Sequence, residues 1–414
     1  MKKKKAVMYG AGNIGRGFIG QLFSESGYEV VFVDINPVII GRINADRAYP
    51  VRIMDDDTYD EIIIKNVRAI DGTDLEAIQT EIAGADIMAT AVGVNVLAKI
   101  ARPVALGLRR RWQVGNSAPL NILICENLLD AHHYLEGLIK GELGEEEKKL
   151  FDEKVGLVET SIGRMAPIMT EEMQEGNPLR VYVEKYCELP VDKNAFKGKI
   201  PVIKNMIPYS PFDFYVQRKL FMHNMGHATA AYLGFAKGYK YLWEACRDSS
   251  IKLVTYRALL ESAICLSKEH NYPLHELVAH ADDLVCRFGN RLLGDTVGRV
   301  GRDPVRKLSE NDRLIGAAKL CVKNGIRPVY ISIGIAAGYA FSPEDDPAAQ
   351  DIRRATWDHG LVKAMKKYSN LDMEDHAQIC EMVLEFYEMI STGKDLSWIV
   401  REAEKMKAKQ AHVK

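Results

Sequence analysis

The stretch "KAVMYGAGNIGRGFIGQLFSESGYEVVFVDI" (residues 5–35) decides how the first half of the chain folds. "KAVMYG" (5–10) is apolar enough for a buried strand, and "FIGQLFSES" (18–26) has helical periodicity closed by Gly27. "YEVVFVDI" (28–35) reads as a second strand carrying Asp34, 19 residues after Gly15. Between the first strand and the helix stand Gly10, Gly12 and Gly15. The first permits a tight turn, the second lets backbone approach a pyrophosphate, and the third lets helix and strand pack closely. A helix start also supplies unpaired N–H groups and a field that favours an anion. The turn of Gly10, Ala11, Gly12, Asn13, Ile14, Gly15, Arg16 and Gly17 is therefore the candidate phosphate cradle. Asp34 can accept hydrogen bonds from ribose 2′- and 3′-hydroxyls and would repel a 2′-phosphate, which favours NAD(H) over NADP(H). The competing reading, a strand–helix turn with no ligand, leaves the agreement of strand, glycines, helix and acid unexplained.

Working outward, "ADIMATAV" (85–92), "LNILICEN" (120–127) and "KVGLVETSI" (154–162) are further apolar runs of strand length separated by helical segments. That alternation predicts an α/β fold with a parallel sheet covered on both faces. "LRRRWQVGNSAP" (108–119) reads as a polar surface loop and "GELGEEEKKLFDEK" (141–154) as a solvated charged helix. "LRVYVEKYCELPVD" (179–192) alternates like exposed antiparallel strands, and proline and glycine then cluster between Phe196 and Pro211. From Phe212 onward the patterns are helical: 214–235, 250–270, 273–288, 310–324, 347–368 and 374–392. The expected organisation is a nucleotide-binding α/β domain over 1–200 and a mostly α-helical catalytic domain over 201–414.

The bulk numbers agree with this. The chain has 414 residues, enough for two domains, with 47% hydrophobic and 27% charged residues. A formal net charge of −1 gives no reason to expect nucleic acid or an anionic membrane as partner. The lysines from Lys2 to Lys5 precede too short an apolar stretch for a signal peptide, and no run approaches a membrane span. Seven scattered cysteines without a Cys-x-x-Cys pair fit reduced thiols in a cytoplasmic protein and argue against a structural zinc.

A dinucleotide domain needs a partner that handles an alcohol proton. Zinc is set aside because no histidine or cysteine spacing suits it. Tyr215-x-x-x-Lys219 has the form of the short-chain dehydrogenase pair, but the chain length and glycine spacing do not fit that class. The third route is a lysine base with amide donors, and "KLFMHNMGH" (219–227) offers it. At about 100° per residue, Lys219, His223, His227 and Asn224 fall near 0°, 40°, 80° and 140° on a helix. A lysine among apolar residues, beside a positively charged nicotinamide, has its pKa lowered and can take a proton from a hydroxyl. An asparagine can donate to the developing alkoxide. On spacing alone, a core helix with satisfied polar groups explains the segment slightly better.

Lys219-x4-Asn224-x2-His227 resembles the signature of the polyol-specific long-chain dehydrogenases, a zinc-independent family. "GAGNIGRGFIG" (10–20), "TAVGVNVL" (90–97), "PLNILICEN" (119–127), "KLFMHNMGHATAAYLG" (219–234) and "RVGRDPVRKLSENDRLIG" (299–316) resemble blocks of that family in the same order. The resemblance implies a Rossmann-type domain, a helical domain and an active site in the cleft between them. It implies Lys219 as general base, Asn127 and Asn224 as the oxyanion site, and His227 as the residue that orients substrate hydroxyls and Lys219. It further implies Arg299 and Lys307 as substrate-binding residues; arginine forks suit a phosphate or carboxylate. His223 has no assigned role.

The implied reaction is D-mannitol 1-phosphate + NAD⁺ to D-fructose 6-phosphate + NADH + H⁺, in a cytoplasmic monomer or homodimer with no metal. Alternatives within the family are reduction of a hexuronate such as fructuronate or tagaturonate, or oxidation of unphosphorylated mannitol at C2. A catalytically silent NAD(H)-binding regulator is the alternative of another class. The chain departs from the family pattern at Ile162-Gly163-Arg164, where Val-Asp-Arg is usual, and at Gln217, where glutamate is expected.

Overall fold

The computed structural model describes residues 4–128 and 130–411; Lys2 and Lys3 of the N-terminal lysine run lie outside them. The chain divides into two compact units, Met1–Tyr215 and Val216–Lys414.

The first unit contains strands β1 (Lys5–Tyr9), β2 (Glu29–Asp34), β3 (Ala48–Asp55), β4 (Thr58–Lys65), β5 (Val67–Asp71) and β6 (Ile87–Thr90). β7 (Leu120–Ile124), β8 (Val155–Glu159), β9 (Val181–Glu184), β10 (Leu189–Asp192) and β11 (Met206–Tyr209) complete it. The main sheet has the order β5-β2-β1-β6-β7-β8, and every pair in it is parallel. This is the doubly wound order, with its switch point between β1 and β6. Alternate residues of β1 feed opposite cores. Ala6 and Met8 pack with Phe18, Phe23 and Phe32 on one face, and Val7 and Tyr9 with Ile78, Leu97 and Val104 on the other. Each large apolar side chain so buried contributes roughly 1.5–3 kcal/mol.

Several elements differ from the sequence expectation, each for a physical reason. Residues 108–113 are not loop but the end of the helix Val94–Gln113. Its Arg111 is buried, and the guanidinium donates to the carbonyls of Ala83 (3.1 Å), Ala85 (2.8 Å) and Ala118 (3.0 Å). A charged residue thus serves as an internal clamp that composition alone reads as surface.

The two strands within 179–192 are buried and their ladders are parallel, with one isolated antiparallel bridge from Val191 to Thr160. β9 is buried and pairs parallel with β3, and β10 pairs parallel with β11. That second pairing keeps 201–215 in the first unit, so the division falls at Tyr215–Val216 rather than near residue 200. The helix after the glycine turn starts earlier than 18, as a wide π-type turn over Gly15–Gly20 followed by the α-turns Gln21–Glu25.

The second unit is helical, as expected. Its centre is the helix Val329–Ala340, buried along almost its whole length. Buried Glu261 accepts the Tyr330 and Ile331 N–H groups at 3.0 and 3.1 Å, which satisfies that helix start. Ser249–His270, Leu274–Phe288 and Ala377–Ser391 match their expected spans closely. The 310–324 helix begins at Ile315, and 347–368 is two helices, Pro347–His359 and Leu361–Ser369, broken at Gly360 (φ +82°). Among the described residues, no helix is long and apolar enough to cross a membrane.

Candidate active site

The candidate nucleotide-binding residues lie in the first unit. Gly10 has φ +99°, and a Cβ on it would strike the Ala91 carbonyl; a Cβ on Gly15 would strike the Gly10 carbonyl. At Gly12 a Cβ would meet nothing within 4 Å, so the backbone there lies open to a ligand. A cavity of about 470 Å³ follows, lined by Tyr9, Gly10, Gly12, Asp34, Ile35 and Val92 among others. Asp34 is held at its edge, accepting the Ala11 N–H at 2.7 Å and the Asn36 N–H at 2.9 Å. Open backbone, a helix start and a fixed carboxylate fit a dinucleotide bound at the switch point.

Not all of the cradle faces outward. Arg16 is buried and donates to the Pro178 carbonyl at 3.1 Å, and burial lowers the pKa of its guanidinium. Asn13 donates to the Pro167 carbonyl at 2.9 Å, and Gly17 packs against Val183 of β9. Buried Arg164 donates to the Gly17 carbonyl (3.0 Å) and Gln21 Oε1 (2.8 Å), which ties the glycine helix down. These side chains brace the turn, whereas Gly10 and Gly12 border the cavity.

Asn127 follows the C-terminal end of β7 and is exposed. Its neighbour Glu126 was not singled out by the sequence. Nearly buried, its carboxylate takes the backbone N–H groups of Val92 (2.8 Å) and Gly93 (2.9 Å). The loop that walls the cavity is thereby tied to the strand end that carries Asn127.

The remaining candidates belong to the second unit. Lys219 to Asn224 form a π-type turn between the α-turns Asp213–Arg218 and Met225–Ala236. Such widened turns recur at functional sites, and this one alters the angular spacing expected from a regular helix. Phe221, Met222 and His223 are buried, whereas Lys219, Asn224 and His227 are partly accessible. His223 packs edge-on against Phe288 (centroids 5.6 Å apart); burial, then Arg287, hold it well below the usual imidazole value. It is a neutral core histidine. Gln217 contacts His270 (Oε1 to Nε2, 3.0 Å), and a side chain at Gly163 would meet the Tyr186 ring at 3.1 Å.

His227 stacks on Phe288 with centroids 5.0 Å apart. Burial lowers its pKa to about 3, with Arg299, Arg313 and Lys307 adding to the effect. Its imidazole is neutral at physiological pH and sits in a strongly positive field. Lys307 is buried and donates to the Arg302 carbonyl; burial, then Arg313 and Arg306, lower its pKa to about 7. Asp295, also missed in the sequence, binds Arg299 and lies 3.7 Å from His227 Nε2. Thus Arg299 and Lys307 are brought around His227 by the Val297–Gly301 and Pro304–Lys307 turns, whose caps are Thr296 and Asp303. Among the described residues no group of three or more His, Cys, Asp or Glu side chains is arranged to hold a metal ion.

A doubly wound dinucleotide domain followed by a helical unit is the architecture here, and the family and relatives it matches place the chain among the oxidoreductases that act on CH–OH groups. The chain belongs to the mannitol dehydrogenase family: the mannitol dehydrogenase Rossmann domain matches residues 4–205 and the mannitol dehydrogenase C-terminal domain residues 212–403. The mannitol-1-phosphate 5-dehydrogenase of Thermoanaerobacter pseudethanolicus is 39% identical over 388 residues, covering 94% of this chain and 98% of that protein. That of Halalkalibacterium halodurans is 37% identical over 368 residues, covering 89% and 96%. In fold the chain resembles a substrate-free D-sorbitol dehydrogenase (TM-score 0.76, 14% identity, 94% and 93% covered). It also resembles Pseudomonas fluorescens mannitol 2-dehydrogenase in ternary complex with NAD and D-mannitol (TM-score 0.72, 13% identity, 96% and 94% covered).

Proposed function

We propose that the protein is a cytoplasmic NAD-dependent polyol-phosphate dehydrogenase that interconverts D-mannitol 1-phosphate and D-fructose 6-phosphate. The observation that carries this reading is the cationic cluster of Arg299, Lys307 and Arg313 around a neutral His227. Such a cluster suits a dianionic phosphate better than an uncharged sugar. The relatives at 37–39% identity, named for the same chemistry, support it.

NAD, when bound, supplies the hydride acceptor. Gly10 and Gly12 would face its pyrophosphate and Asp34 its ribose. Lys219 takes the hydroxyl proton during oxidation and returns it during reduction. Asn127 and Asn224 donate hydrogen bonds to the oxygen as its charge grows. His227, neutral at working pH, both accepts and donates hydrogen bonds and so orients a substrate hydroxyl without adding charge. Arg299 and Lys307 hold the phosphate, which fixes the distance from anion to reacting carbon.

The test is the rate of NADH oxidation with fructose 6-phosphate, fructose and a keto-hexuronate. Preference for fructose 6-phosphate is expected. Preference for a substrate without phosphate overturns the reading.

A further inference from the structure

Resting on that reading of the site, we propose that Asp295 is a positioning residue that aims Arg299 at the anionic end of the substrate and sets the tautomer of His227. Asp295 itself need not touch the substrate.

Three observations converge on it. The Asp295 side chain is only 8% exposed, whereas that of its partner Arg299 is 45% exposed. A buried inner carboxylate thus holds a half-exposed outer guanidinium. The hold is one-sided: Asp295 Oδ1 takes Nη2, and no described residue accepts from Nε or Nη1. The remaining edge of the planar fork is left to bind two oxygens of an anion, and its direction is set from behind.

The second carboxylate oxygen faces the proposed catalytic imidazole. Asp295 Oδ2 lies 3.7 Å from His227 Nε2, and that buried nitrogen has no hydrogen-bond partner among the described residues. The separation is longer than a hydrogen bond, yet the carboxylate is the nearby anion and favours the tautomer with the proton on Nε2. Nδ1 would then be the lone-pair nitrogen and could accept from a hydroxyl.

The third observation is the rigidity of the backbone. The Asp295 carbonyl accepts the Leu242 N–H at 2.8 Å, and Tyr241 bridges to Thr296. Thr296 in turn caps the turn that carries Arg299, its hydroxyl accepting the Arg299 N–H at 3.2 Å. Aspartate and arginine therefore ride on one short braced segment, in which the carboxylate sets where the guanidinium points.

A double-mutant cycle tests this in the full-length enzyme with saturating NADH. Asp295→Asn keeps the shape and removes the charge. The KM for fructose 6-phosphate is expected to rise roughly tenfold or more in otherwise wild-type enzyme. In an Arg299→Ala background the same change should cost less than about twofold, because the residue it acts through is gone. NADH affinity should not move, whereas a general loosening of the fold would lower it. If Asp295→Asn does not fold, Asp295→Glu is read in the same cycle, with a smaller rise expected. Equal rises in both backgrounds, or an unchanged KM, overturn the proposal. Should the wild type prefer an unphosphorylated ketose, the proposed substrate falls. If that ketose is a hexuronate, the cycle run on it still decides the role of Asp295; if it is uncharged, no anionic end exists for Arg299 and the proposal is overturned as well.

Discussion

Glu126 holds Gly93: its Oε2 accepts the Gly93 backbone N–H at 2.9 Å, while Oε1 takes the N–H of Val92 at 2.8 Å. One carboxylate satisfies two adjacent donors and closes the loop between β6 and the helix Val94–Gln113. Glu126→Gln can satisfy only one of them and turns an amide donor toward the other. Val92 is only partly buried and Gly93 is exposed, so losing one of these hydrogen bonds costs about 0.5–1.5 kcal/mol. Because Val92 lines the nucleotide cavity, the KM for NADH should rise roughly tenfold, with a lower melting temperature. Steady-state kinetics with NADH varied and a thermal melt check both; an unchanged KM for NADH would show that the loop is held by other means.

Asp34 is anchored by two backbone N–H groups, from Ala11 at 2.7 Å and Asn36 at 2.9 Å. Its charge therefore stays at the edge of the cavity, where it would discriminate between ribose and a 2′-phosphate. Asp34→Ser should raise the KM for NADH by roughly tenfold to a hundredfold and lower that for NADPH. Kinetics with both cofactors read this out. A variant that still strongly rejects NADPH would place cofactor selection elsewhere.

Lys307 carries a pH prediction. With its pKa lowered to about 7 by burial and by Arg313 and Arg306, it is an ammonium below that pH and neutral above it. A phosphate ester loses its second proton near pH 6. Affinity for a sugar phosphate is therefore greatest between about pH 6 and 7, and KM rises as pH climbs through 7. Lys307→Arg, charged throughout, should flatten the rise. The KM for fructose 6-phosphate across that range checks it, and a flat wild-type profile would separate Lys307 from binding.

Much of this could be read from residues near one another in sequence. The strand, glycine turn, helix and Asp34 announced the nucleotide domain because their spacing is local. The helix carrying Lys219, Asn224 and His227 was equally legible, but its π-type turn was not, since an angular estimate assumes 3.6 residues per turn. Arg111 misled for the opposite reason: an arginine in a polar run resembles surface, and only distant carbonyls of Ala83 and Ala85 make its burial tolerable. Asp295 lies 68 residues from His227, and Glu126 acts on a loop 33 residues earlier. Neither pairing has a local signature, so only the folded chain brings them together.

Glu159, at the end of β8, offers a check on the fold itself. Burial, then Asp130, Asp192 and Asp213, raise its carboxyl to about 7. The folded state therefore holds a proton that the unfolded chain releases near its ordinary value of 4.5. Stability from this group is full below about 4.5 and is lost as pH rises through 7. Glu159→Gln should melt higher than wild type at pH 8 and equally at pH 4.5. Equal melting at both pH values would mean that the carboxyl is not perturbed.

The proposed role of Lys219 is to move the substrate proton in an NAD-dependent ketose-phosphate reductase. The direct measurement is the turnover of Lys219→Ala beside wild type, with fructose 6-phosphate and NADH, together with NADH binding by fluorescence titration. Wild type should turn over briskly, the variant should lose roughly a thousandfold or more, and NADH affinity should stay unchanged within about twofold. Near-normal turnover by Lys219→Ala would contradict that role.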